Sequence, residues 1–192
     1  MANIFILSGT YGSPFDNWQP WLYQQLTAQG HTVFVPHFPS PAGQNLETWS
    51  AILQAYEPFW NENTVVVAHS IGCAFAVDYI LAAQQMIKGA VLVSPFYSAI
   101  GIESFDTLNA TFLTRPVVEL KMLGQLCRTI KAFHGEDDPY VPLPLAQEFC
   151  KTIGTAPAII GAGGHLNSKA GFQEFPRVLE AVIEISNGAR LD

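Results

Sequence analysis

Short runs of apolar, often β-branched residues alternate along this chain with longer segments whose apolar residues recur every three or four positions. Runs of the first kind, at 3–8, 32–36, 64–69, 89–94, 129–134 and 156–160, suit strands covered on both faces. The longer segments suit helices laid on a sheet. Trp18, Trp21, Leu22 and Leu26 mark the first, and Leu46, Trp49, Leu53, Tyr56 and Trp60 the second. A stretch free of Pro and Gly covers 73–83, and two more segments cover 145–153, entered through Pro142 and Pro144, and 175–185. Strands alternating with helices read as βαβ units, because a parallel neighbour is reached only by crossing a face of the sheet. The expectation is a single α/β domain over 1–192. Its six-stranded, mainly parallel sheet has the order 2-1-3-4-5-6, right-handed crossovers and helices on both faces. One connection, 96–128, is too long for a simple crossover and is apolar at Phe105, Leu108, Phe112, Val117, Val118, Leu120, Met122, Leu123 and Leu126. It reads either as a crossover helix with a padded loop or as a small cap.

Within this frame, Ala68-His69-Ser70-Ile71-Gly72 follows directly on Thr64-Val65-Val66-Val67 and opens the helical stretch after it. A strand that stops on a serine and turns into a helix between small residues has the form of a nucleophile elbow, which lifts the hydroxyl to the rim of the sheet. The same residues also fit an ordinary βα turn in which Ser70 caps the helix. Other parts of the chain bear on that choice.

A serine hydroxyl is a weak nucleophile at neutral pH and needs a base, which in turn needs a partner to orient it. Past the fifth strand stands His134-Gly135-Glu136-Asp137-Asp138-Pro139-Tyr140-Val141-Pro142, and past the sixth Gly161-Ala162-Gly163-Gly164-His165. In enzymes built on such an elbow the partners follow in the order serine, acid, histidine. Asp138, four residues before Pro142, takes the role of orienting His165, and Asp137 that of bracing the turn. Ser70, Asp138 and His165 then fall at the C-terminal ends of parallel strands, where open α/β sheets place their sites. An oxyanion hole would use the backbone N–H of Ile71 and, from the loop Ser8-Gly9-Thr10-Tyr11-Gly12, that of Thr10. That loop is not a phosphate cradle, since Gly9 and Gly12 do not make G-x-G-x-x-G and no P-loop lysine follows. Tyr11, Phe15, Phe96, Tyr97 and Phe105 are candidates to line a substrate pocket, and His37 could border it. His69 should point to the opposite side of the turn, and His134 should bond locally.

Composition narrows the function. A net charge of −7, with nine scattered Lys and Arg, offers no basic stripe to nucleic acid or to an anionic membrane. The longest apolar stretch contains His69, Ser70 and Asp78, so no membrane span is expected. Met1-Ala2-Asn3-Ile4 has no positive n-region and the apolar run ends by Ser8, so no secretory signal is expected either. Cys73, Cys127 and Cys150 are odd in number and far apart, which suits reduced thiols and a cytoplasmic protein. No His or Cys pair has metal-ligand spacing, so neither metal nor other cofactor is expected.

The chain resembles the small serine hydrolases of the YdeN and retinoblastoma-binding hydrolase family. The likeness rests on Asn17-Trp18-Gln19-Pro20-Trp21-Leu22, Leu46-Glu47-Thr48-Trp49, Glu62-Asn63-Thr64, Ala68-His69-Ser70-Ile71-Gly72-Cys73, Asp137-Asp138-Pro139 and Gly163-Gly164-His165. The resemblance implies a compact α/β-hydrolase fold with a minimal cap, and Ser70, Asp138 and His165 as a catalytic triad. The first-strand motif departs from the family's His-Gly, reading Ser8-Gly9. An L-x-C-x-E segment for retinoblastoma binding is absent, since Cys127 lies between Gln125 and Thr129 and Cys150 between Glu148 and Thr152. The expected function is hydrolysis of small carboxylic esters through an acyl-serine. A non-catalytic binding protein, an amidase or an acyltransferase on the same fold are the alternatives.

Overall fold

The computed structural model describes residues 1–188. Its six strands are β1 (Asn3–Leu7), β2 (Thr32–Phe34), β3 (Thr64–His69), β4 (Gly89–Val93), β5 (Ile130–Gly135) and β6 (Pro157–Ile160). They form one sheet in the order β2-β1-β3-β4-β5-β6. All five pairings are parallel, which firms up an expectation that was only mainly parallel.

Alternation along the central strands assigns each residue to one of two buried faces. Phe5, Leu7, Val66 and Ala68 face a core shared with α2 (Leu46–Gln54), α3 (Ile71–Ala83) and α7 (Leu143–Thr152). Ile4, Ile6, Val65 and Val67 face the other, covered by α1 (Gln19–Ala28) and α8 (Pro176–Asn187). Being sandwiched explains why β3 and α3 lack polar alternation. Each is apolar almost all round because each is enclosed.

Two expected elements are shorter than their patterns. The 46–60 periodicity gives a helix only as far as Gln54, and Pro58 lies in a 3-10 turn, Glu57–Phe59. Proline lacks the N–H that continues a helix and its ring collides with the preceding turn. Tyr56 and Trp60 still reach the core and pack on Phe5. Strand β2 stops before Pro36, which has no donor for the ladder. The long β4–β5 connection holds α4 (Glu103–Asn109), a 3-10 turn (Ala110–Phe112), α5 (Val117–Leu120) and α6 (Leu123–Leu126) in place of one crossover helix. Phe112, Leu120 and Leu123 bury into the α3 face. Tyr97 Oη donates to the buried Asp78 carboxylate of α3 at 2.6 Å, and Arg115 Nε lies 2.8 Å from the same oxygen.

Candidate active site

Strand β3 delivers Ser70 to the sheet rim at φ 57°, ψ −129°, a strained conformation for a residue with a side chain. Close packing around the turn sustains it. A Cβ on Gly72 would lie 2.5 Å from the Ser8 carbonyl oxygen, and one on Gly9 would lie 2.7 Å from Ser70 Cβ. The loop after β1 therefore rests directly on the elbow, which brings Thr10 and Ser70 to one cavity. Ser70 heads α3 without capping it by its side chain, so the ordinary N-cap alternative does not describe this turn. Ile71 is buried as the first helical residue. Among the described residues neither its N–H nor that of Thr10 is taken up by a backbone carbonyl.

On the neighbouring rim the loop after β5 anchors a carboxylate. Asp138 Oδ1 accepts the N–H groups of Tyr140 and Val141 at 2.9 and 3.0 Å, while Oδ2 accepts from His165 Nδ1 at 2.7 Å. Burial alone would raise this carboxyl. The hydrogen bond and charge of His165, together with the two amides, outweigh it and hold the carboxyl below its ordinary range. With Nδ1–H committed to the carboxylate, a neutral His165 keeps the Nε2 lone pair free to take a proton.

Five side chains fix the turn that carries this imidazole. Asp137 Oδ1 accepts from Gly164 N–H at 2.8 Å, so Asp137 braces the histidine loop, whereas its own turn is braced by Asp138. His69 Nε2 donates to the His165 carbonyl at 2.9 Å and Ser94 Oγ to the same oxygen at 3.3 Å. Trp18 Nε1 donates to the Leu166 carbonyl at 3.0 Å, and Asn17 Oδ1 accepts from Ser168 N–H at 2.9 Å. His69 thus departs from expectation. It lies beside His165, with ring centroids 4.8 Å apart, because a strand residue one before Ser70 shares the α1 face with Trp18. Burial, ahead of the repulsion from His165, pushes its imidazole down to about 3, so it stays neutral. His134 bonds locally, Nε2 to the Val141 carbonyl at 3.0 Å.

Ser70 and His165 line one cavity of about 310 Å³. Its lining includes the apolar Tyr11, Phe96, Ile100, Phe105, Tyr140 and Val141 and the polar Asp16, Asn17, Asn109, Asn167, Ser168 and Lys169. Tyr11, Phe105, Tyr140 and His165 touch edge to face in sequence, at 6.0, 5.8 and 5.1 Å between centroids. Three of the expected pocket aromatics, Tyr11, Phe96 and Phe105, do line it. Phe15 does not and is 84% exposed, because the turn closed by Asp16 on Ser13 throws it outward. Tyr97 does not either, being drawn down to Asp78 and stacked on Phe149. His37 is exposed and apart from the cavity. Sequence reading missed Tyr140, Asn109 and Gln44. Only Tyr140 carried a signal, as an aromatic inside the acid's own loop. Among the described residues no group of three His, Cys, Asp or Glu could hold a metal ion, and no helix is long and apolar enough to cross a membrane.

A parallel sheet in this order, with a strained serine on a strand-to-helix turn at its rim, defines an α/β-hydrolase. The chain belongs to the serine hydrolase family, whose model matches residues 4–184. It is 26% identical to the YdeN hydrolase of Bacillus subtilis over 181 residues, 93% of each chain. The crystal structure of that protein superposes with a TM-score of 0.87 at 24% identity, covering 98% of this chain and 100% of the other. A YdeN-like hydrolase from Pectobacterium atrosepticum gives 0.72 at 18% identity, over 97% and 91%. A carboxylesterase from Nitrososphaera gargenis gives 0.70 at 11%, over 95% and 88%.

Proposed function

We propose that this hydrolase cleaves small carboxylic esters through an acyl-serine formed on Ser70. The observation that carries the reading is the 2.7 Å bond between His165 Nδ1 and Asp138 Oδ2 at the wall of the cavity that Ser70 also lines. Ser70 Oγ attacks the ester carbonyl while His165 Nε2 takes its proton, and the resulting imidazolium is stabilised by Asp138. The oxyanion is received by the amides of Ile71 and Thr10, the former at the positive end of α3. Collapse expels the alcohol, protonated by His165, and water repeats the sequence to release the acid. Ser70 and His165 form no hydrogen bond in the free chain, a looseness common before substrate closes the site.

Ester chemistry suits the cavity, whose lining mixes apolar and polar side chains and which is sized for a small molecule. The solved carboxylesterase of like fold agrees with it. The 96–128 segment, which contributes Phe96, Ile100, Phe105 and Asn109 to the wall, acts in this reading as a minimal cap. The three free buried cysteines fit a reducing, cytoplasmic setting.

A fluorophosphonate probe tests the reading. The native protein is expected to label and to hydrolyse short p-nitrophenyl esters, and Ser70→Ala to do neither. Equal labelling of both proteins, or a folded native protein that neither labels nor hydrolyses, would reject it.

A further inference from the structure

A polar network lies behind the loop after β1. Tyr11 N–H donates to Ser40 Oγ at 2.6 Å, and the Ser40 hydroxyl donates to Gln44 Oε1, also at 2.6 Å. Gln44 presents its nitrogen on the other side, where it donates to Thr10 Oγ1 at 3.0 Å and to Asn109 Oδ1 at 2.7 Å. Thr10 gives its hydroxyl hydrogen to the same Asn109 oxygen, at 2.8 Å. Donors and acceptors are matched at every step until Asn109 Nδ2, for which the described residues supply no acceptor. Two donors are thus aimed at the oxygen of this amide, and its nitrogen lies on the other side.

Asn109 is only 2% exposed, and Gln44 6%. Asn109 nevertheless lines the cavity, at the end of α4, the helix that also brings Phe105 to its wall. The residue is buried, but its unpartnered nitrogen is not sealed in and opens on the cavity, so a substrate that displaces water there leaves the amide unpaired unless it accepts from it. An exposed asparagine would keep such a water when a substrate binds. This one sits among aromatics at the site of the proposed reaction.

We infer that Asn109 is a specificity residue whose side-chain amide donates to an oxygen on the part of the substrate lying against Phe96, Ile100 and Phe105. The inference rests on the esterase reading and names its substrate class: small esters whose cap-side group carries an acceptor oxygen, as an ether, ketone or hydroxyl, in an otherwise apolar frame. Plain alkyl groups of the same length leave the amide unpaired and are disfavoured.

Isosteric pairs test this directly. On the acyl side p-nitrophenyl methoxyacetate is compared with p-nitrophenyl butyrate, and on the alcohol side 2-methoxyethyl acetate with butyl acetate. Each kcat/KM is divided by the ester's rate of alkaline hydrolysis, and the fluorophosphonate label is read in parallel. The native protein is expected to favour the ether in one series by about fivefold to a hundredfold, the range for one unpaired buried polar group. Asn109→Asp keeps an acceptor for Thr10 and Gln44 but sets a carboxylate oxygen against the substrate oxygen, and should bring the ratio to about one or below. Asn109→Leu should bring it to about one; thermal unfolding checks that both variants fold, and the native ratio needs neither. A labelled native protein with no preference in either series overturns the inference and leaves the esterase reading standing. So does a preference that survives in both folded variants, or an equal loss on both members of a pair. A native protein that fails to label overturns both.

Discussion

At the scale of single residues, two adjacent aspartates end one loop and do different work. Asp138 meets the imidazole, whereas Asp137 meets the backbone of the turn that carries it. Asp138→Asn can turn an N–H toward His165 Nδ1 and favour the wrong tautomer, so kcat on p-nitrophenyl acetate should fall about ten-thousandfold. Asp137→Asn keeps an acceptor for Gly164 N–H and should cost about tenfold or less. Equal losses would move the role of the acid away from Asp138. The sequence permitted this assignment because residue type, chain order and strand-end placement all constrained it together. It misplaced Phe15 and Tyr97 because an aromatic in a loop suits a pocket wall, a buried core and an open surface alike. Gln44 and Asn109 had no local signal at all: their bonds exist only where three separate loops meet.

Among the elements, β3, α3 and the sheet order were legible because each rests on an unbroken periodicity or on a handedness rule. The β4–β5 connection was not, since its apolar residues follow α3 rather than a period of their own. What ties that segment down is a buried carboxylate. Burial, outweighing the Tyr97 hydrogen bond and the Arg115 charge, pushes Asp78 up from an ordinary 3.8 to about 6, with Glu119 adding repulsion. The folded chain therefore binds this proton more tightly than the unfolded chain does. The contribution is fully present below about pH 4 and is lost as pH rises through 6. Asp78→Asn removes the titration but keeps an acceptor for Tyr97. Measured by denaturant unfolding on both sides of that window, native stability should decline relative to the variant as pH rises, by on the order of 2 kcal/mol. A difference that stays constant across the window would show that Asp78 does not titrate there.

Taken as a whole, the molecule keeps its thiols inside and sets the Ser70 hydroxyl at the cavity on the sheet rim. Cys73, Cys127 and Cys150 are all buried and free, and burial pushes the latter two thiols up to about 12. A chromogenic thiol reagent at mildly alkaline pH should find none of them in the native protein and all three in guanidinium. Fast reaction of the native protein would show that the α3 and α7 core opens readily. The indole of Trp18 reaches across to the Leu166 carbonyl, joining the first helix to a turn made near the end of the chain. During synthesis Ser70 leaves the ribosome well before His165, and the turn that carries the imidazole gains its Trp18 bond only once the two ends of the chain have met. On the proposed chemistry the nascent chain is inert, and the first covalent turnover doubles as a signal that the last strand is in place.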